Sequence, residues 1–261
     1  MDDRLIAPGQ VWLVGAGPGD PELLTRKAER LIAAASVVFH DALVGPGVLD
    51  LIPPHVRRVS VGKRSGRHSK DQDEIGRLLV EAALAGERVV RLKGGDPSIF
   101  GRSAEELAAL REHGIPVRIC PGITAASAAA ASAGISLTLR GTARRLVFAT
   151  AHTRKGDVLD LDWRTLADPE ATLAIYMGKA QAGAIARQLL AAGMAPDTPV
   201  LLAENASLVG ERLLATRLDL LPLTASVALG DGPAVILVGR TISASAAEKI
   251  ESCRDYQYFI V

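Results

Sequence analysis

The stretch RLKGGDPSIFGRSAEE, residues 91–106, sets two glycines and an acid at the point where an apolar run gives out. RVVRLKGGD (88–96) reads as a strand ending in glycines, and SAEELAALREHG (103–114) as a helix closed by Gly114. The same design occurs upstream. VWLVGAG (11–17) ends in glycines and leads into PELLTRKAERLIAAA, apolar at helical spacing with Pro21 near its start. SVVFHDALV is a short β-branched run ending at His40 and Asp41, and PVRICPGI (116–123) is a further strand before an Ala-rich helix. Strands alternating with helices imply an α/β fold with a largely parallel sheet.

Past GISLTLRG (134–141) a second series begins, with strand-like RLVFATAH (145–152), TLAIYMG (172–178), PVLLAENAS (199–207) and AVILVG (234–239). Helical AQAGAIARQLLAAG (180–193) lies between two of them. The expectation is two α/β domains with parallel or mixed sheets and a cleft between them. Residues 1–136 form the first, 137–245 the second, and 246–261 a tail without an assigned role.

Composition narrows the function classes. A net charge of +1 and only 3% aromatic residues argue against a dedicated nucleic-acid binder, which needs basic surface and stacking rings. No stretch reaches the roughly 18 unbroken apolar residues of a membrane span. The beginning, MDDRLIAPGQ, lacks the basic-then-apolar layout of a signal peptide. Cys120 and Cys253 form no CxxC pair, so neither a disulfide framework nor a metal centre is expected, and the location expected is the cytoplasm.

GAGPGD (15–20) invites a dinucleotide reading, with Asp41 roughly where a ribose-binding acid would stand. Asp20 nevertheless occupies the third glycine position, and Pro18 removes a backbone N–H that pyrophosphate would use. A glycine turn that merely joins strand to helix is the plainer alternative. A P-loop fails because Arg57 and Arg64 stand where glycine and Ser/Thr belong. The five histidines are scattered, with no HExxH, and no GxSxG elbow occurs. GGD (94–96) suits a cationic ligand better than a phosphate, because glycines admit the main chain closely and a carboxylate tolerates positive charge. Asp96 before Pro97 could equally serve only to start a turn.

Taken together, VGAGPGDPELLT, DALV, VGKRSGRHSKDQDEI, VVRLKGGDPSIFGR, PGITAASAAAA, LTLRG, IYMG, AENAS and GPAVILVG resemble the tetrapyrrole methylases in register from about 11 to 240. The resemblance implies homodimers that bind S-adenosylmethionine, and release S-adenosylhomocysteine, in the cleft between two α/β domains. Carried over, the cofactor contacts are Pro18, Gly94, Gly95, Asp96, Ile99, Thr124, Ala125, Met177, Ala206 and Ala234. Within the family, VGKRxGxHxxxQxEI is similar to the enzymes that methylate uroporphyrinogen III at C2 and C7. They give precorrin-2 by way of precorrin-1, for sirohaem, cobalamin or haem d1.

By the same resemblance Asp41 is a proton acceptor and Lys63 a proton donor. A turn role for Asp41 and a solvated or carboxylate-clamping role for Lys63 are the alternatives. The substrate's eight carboxylates would meet Arg64, Arg67 and Arg140, with His68, Arg144 and Arg145 nearby, since the arginine fork matches a carboxylate. Where the family often has PLTHRG this chain has Ser136 and Leu139, so a contact from that histidine is absent. No oxidase or chelatase sequence precedes the methylase pattern, and a monofunctional enzyme is expected. Methylation of a later precorrin, nicotinamide-dependent oxidoreduction and non-catalytic binding remain the competing readings.

Overall fold

Alternate residues of Val11–Gly15 (β1) point to opposite faces of a sheet, and both faces are covered. Trp12 and Val14 pack with Ala28, Leu31 and Ile32, whereas Val11 and Leu13 pack with Ile75, Leu79 and Leu110. A strand buried on both sides reads as a continuous apolar run, which is the signature of a parallel sheet. The computed structural model describes residues 5–62, 72–152 and 160–242.

The chain divides into two compact units between Ala125 and Ala126. In the first, β1 is followed by α1 (Arg26–Ala34), β2 (Val37–His40), α2 (Pro46–Asp50), β3 (Arg57–Ser60) and α3 (Gln72–Leu84). Then come β4 (Val89–Lys93), α4 (Ser103–Glu112) and β5 (Val117–Cys120). The sheet order is β3-β2-β4-β1-β5, with every pair parallel. Pro21 does not start the first α-helix. Asp20 caps a single 3-10 turn, Pro21–Leu23, and α1 begins afresh at Arg26, where the Thr25 hydroxyl accepts from Ala28 N at 3.1 Å.

The second unit comprises α5 (Ala125–Ser132), β6 (Arg145–Thr150), α6 (Trp163–Leu166), β7 (Ala171–Tyr176), α7 (Ala182–Ala191), β8 (Pro199–Glu204), β9 (Arg212–Arg217), α8 (Leu221–Ala228) and β10 (Ala234–Val238). Sequence placed the change of unit at 136, after the Ala-rich helix; the units divide at that helix's first turn instead. There Ala126 N donates to the Tyr176 hydroxyl of β7 at 3.1 Å, which ties α5 to the second sheet.

That sheet runs β6-β7-β10-β8-β9 and is mixed, since only β6 and β7 pair in parallel. The short link from β8 to β9 leaves no room for a crossover, so the strands must be antiparallel. Leu173, Ile175, Leu202, Ile236 and Val238 pack against Ile185 and Leu189 of α7 and Leu221 of α8. No helix among the described residues is long and apolar enough to cross a membrane.

Candidate active site

The loops that leave β1, β2, β4 and β5 all start from the carboxyl-terminal rim of the parallel sheet, where ligands of open α/β sheets bind. Register fixes this alignment: Gly15 lies opposite Lys93, and His40 opposite Leu92. Three glycines hold the rim together. A Cβ on Gly122 would stand 2.3 Å from Gly95 O, and one on Gly15 would stand 2.6 Å from Gly122 N. Only residues without a side chain allow these main chains so close. Two exchanged hydrogen bonds, Gly17 N to Gly95 O at 3.2 Å and Gly95 N to Gly17 O at 2.7 Å, join the first and third loops. The missing side chain of Gly95, by contrast, faces open space, and its φ is +68°. With its N–H and carbonyl both bonded to Gly17, half-buried Gly95 offers a ligand of the glycine loops room to approach rather than a free hydrogen-bonding group.

Asp96 is largely spent within the protein. Its Oδ1 accepts from Ser98 N at 2.7 Å and its Oδ2 from Gly122 N at 2.9 Å, while Asp96 O accepts from Ile99 N at 3.1 Å. Asp-Pro does start a turn, and the acid also clamps the β4 loop onto the β5 loop. Pro18, Gly94, Ile99, Thr124 and Ala125 are all half-buried. Pro18, Gly94, Gly95, Asp96 and Ile99 thus lie on loops of this rim, and Thr124 and Ala125 follow Gly122 at the entry to α5. The dinucleotide reading loses its anchor, because a 3-10 turn and the Thr25 cap separate the GAGPGD loop from the first α-helix. A pyrophosphate site needs that helix N-terminus directly after the glycines.

Asp41 follows the last residue of β2 on the same rim. Its Oδ1 accepts from Leu43 N at 3.0 Å, and Oδ2 lies 3.8 Å from Arg91 Nη2. Gly62 packs against the Asp41–Ala42 peptide, where a Cβ would come within 2.1 Å of Ala42 N. The chain entering VGKR is therefore beside Asp41, although Lys63, Arg64, Arg67 and His68 lie outside the described residues.

Behind Asp41 stands a buried charge cluster. Arg91 Nε donates to Glu106 Oε1 at 3.0 Å, Arg91 Nη1 to Leu92 O at 2.9 Å, and Lys93 Nζ to Glu106 Oε2 at 2.8 Å. Burial and the neighbouring Arg91 charge hold the Lys93 ammonium below its usual value, opposed by Glu106 and Asp41. Sequence reading missed these three residues. The available signal was Arg91 and Lys93 two apart in a strand otherwise apolar, hence on one buried face and in need of a carboxylate.

In the second unit, antiparallel pairing brings three predicted residues to one edge. Met177 follows the end of β7, Ala206 follows β8, and Ala234 opens β10, which lies between those strands. Met177 has φ +56° and is 48% exposed, whereas Ala206 is buried. The loop before β10 is fixed by Glu204, which accepts from Gly230 N at 2.9 Å, Gly232 N at 3.1 Å and Lys179 Nζ at 3.1 Å. Burial pushes the Glu204 carboxyl up, but the bonds from Gly230 and Lys179 prevail and leave it below its usual value. Glu204 and Lys179 also escaped the sequence reading.

Arg140 is exposed on the turn closed by Leu139 N to Ala143 O at 2.9 Å. Arg145 lies in β6 and pairs with Asp168, which removes it from the free basic cluster. Ser136 is occupied locally, its Oγ donating to Thr138 O at 2.6 Å.

Residues 10–222 match the family model for Tetrapyrrole (Corrin/Porphyrin) Methylases. The chain is 52% identical over 232 residues to a uroporphyrinogen-III C-methyltransferase of Paracoccus denitrificans, covering 88% of this chain and 80% of that one. It is 45% identical over 235 residues to a siroheme synthase of Nitrosospira multiformis, covering 90% of this chain but only 50% of the longer relative. Among solved structures, the uroporphyrin-III C-methyl transferase from Thermus thermophilus complexed with S-adenyl homocysteine has a TM-score of 0.76 and 41% identity, covering 89% and 93% of the two chains.

Proposed function

The chain belongs to the tetrapyrrole methylase family, and on that premise we propose that it methylates uroporphyrinogen III at C2 and C7, through precorrin-1 to precorrin-2. One observation carries the proposal. The glycine-lined ends of β1, β4 and β5 share a rim with Asp41, so main chain free of side chains and a carboxylate suited to proton transfer sit on one edge of the sheet. The methyl donor fits the residues present: Gly95 has no side chain to bar its approach, and the GAGPGD loop does not lead straight into an α-helix N-terminus that would bind a phosphate.

S-adenosylmethionine supplies, when bound, an electrophilic sulfonium methyl for in-line transfer to a nucleophilic pyrrole carbon, leaving S-adenosylhomocysteine. The protein's part is alignment and proton traffic. We assign donor contacts to Pro18, Gly94, Gly95, Asp96, Ile99, Thr124 and Ala125 in the first unit. Met177, Ala206 and Ala234 are assigned the same role in the second. Asp41 accepts the proton that leaves the methylated ring system, and Lys63 returns one. Arg64, Arg67 and Arg140 bind substrate carboxylates through paired hydrogen bonds. The protein acts as a homodimer in this reading, in a pathway to sirohaem, cobalamin or haem d1.

The test is a mass spectrum taken after incubation with uroporphyrinogen III and S-adenosylmethionine. Gain of two methyl groups supports the proposal. A product with one methyl would end the reaction at precorrin-1, and no product would reject methylation of this macrocycle and leave a later precorrin as the substrate. Thermal stabilisation by NAD but not by S-adenosylhomocysteine would move the protein to the oxidoreductase class.

A further inference from the structure

Glu106 is wholly buried, with 0% of its side chain exposed, and each of its oxygens carries a cation. Such clusters are costly. Well-packed apolar residues of similar volume often serve stability as well or better, so stability alone does not explain why two cations and a carboxylate are buried here. The geometry supplies a different reason. Arg91, 4% exposed, is fixed at Nε by Glu106 and at Nη1 by Leu92 O, and a planar guanidinium held at two nitrogens cannot turn. Its remaining nitrogen, Nη2, is thereby presented to Asp41 Oδ2 at 3.8 Å, while Leu43 N holds the other oxygen at 3.0 Å.

We propose that Glu106 and Arg91 are positioning residues that set the orientation of the Asp41 carboxylate for proton acceptance, with Lys93 balancing the charge of Glu106. The assignment rests on the reading of Asp41 as proton acceptor. Neither Glu106 nor Arg91 needs to touch substrate; both act through Asp41. The cluster joins α4, β4 and the loop after β2, so the helix that follows the GGDP loop is coupled to the acid that follows the neighbouring strand. Charges sum to zero across half-buried Asp41 and buried Arg91, Glu106 and Lys93, which lowers the cost of burying the last three.

A double-mutant cycle with Arg91→Lys and Asp41→Asn tests this, since lysine keeps the charge but cannot hold Glu106, Leu92 O and Asp41 together. Arg91→Lys is expected to lower kcat by about 10- to 100-fold, with KM for the methyl donor within about twofold of the parent. In the Asp41→Asn background the same change should cost less than about twofold, because the interaction is already lost. Equal losses in both backgrounds would overturn the positioning role while leaving Asp41 as a catalytic residue. Full turnover by Asp41→Asn would instead overturn the reading of Asp41, and the positioning role with it.

Glu106→Gln strands two buried cations and can fail to fold, so Glu106→Gln/Lys93→Met is made beside it. The paired variant restores charge balance and keeps an oxygen for Arg91 Nε. It should melt above Glu106→Gln and recover turnover relative to it. A folded paired variant that binds S-adenosylhomocysteine yet turns over no faster than Glu106→Gln would overturn the role given to Glu106.

Discussion

Asp96 Oδ2 accepts the Gly122 amide at 2.9 Å, so the acid of the GGDP stretch is committed to the next loop of the sheet. Asp96→Ala removes that bond and the one from Ser98 N, and leaves two amide donors without their partner. We expect a loss of about 1–3 kcal/mol in stability and weaker S-adenosylhomocysteine binding. Melting curves and calorimetry measure the two effects; unchanged values for both would mean that the clamp is idle.

Gly122→Ala should be far more damaging than Gly86→Ala. At Gly122 the new Cβ would meet Gly95 O at 2.3 Å, main chain against main chain, whereas at Gly86 nothing lies within 4 Å. Gly86 has φ +79°, so alanine there costs only the left-handed strain, about 1–2 kcal/mol. The comparison is made on soluble yield and melting temperature, and similar behaviour of the two variants would contradict the packing described.

Glu204 predicts a pH dependence of definite sign. Its folded carboxyl lies below the usual value of 4.5. Its contribution is therefore full above that value and lost as pH falls through the lower, folded one. Glu204→Gln should flatten the fall in melting temperature on the acid side and lower the melting temperature at neutral pH. Parallel curves for parent and variant from neutrality into acid would refute the assignment.

Arg140 is exposed and lies on a closed turn, so its removal should not disturb the fold. Arg140→Ala is expected to weaken tetrapyrrole binding by about 10- to 150-fold, the range of one charge-assisted contact, and leave S-adenosylhomocysteine binding within about twofold. Calorimetry showing equal losses for the two ligands would reject Arg140 as a substrate residue.

In the parallel unit β1 and β4 were legible because each is a largely apolar run leading into glycines, a pattern set by burial on two faces. β9 was not, since RLLATR (Arg212–Arg217) lies at the edge of its sheet, begins and ends in arginine, and has no strict polar–apolar alternation. β3, RRVS, escaped for the same reason, being an edge strand with exposed cations. The antiparallel placement of β10 between β7 and β8 depends on pairing between distant segments, which local periodicity does not encode. The glycine rim and Asp41 were visible as residue types, but the bonds that commit Asp96 and Glu204 to neighbouring loops appear only once those loops meet.

The exchange between Gly17 and Gly95 makes the first and third rim loops a single mechanical piece, fastened through main chain alone. Lengthening either loop by one residue would shift its amide and carbonyl out of step with the other. Transplanting the GAGPGD segment from a relative should therefore succeed only when the GGDP segment travels with it, so the two stretches are expected to be inherited as one exchangeable cassette.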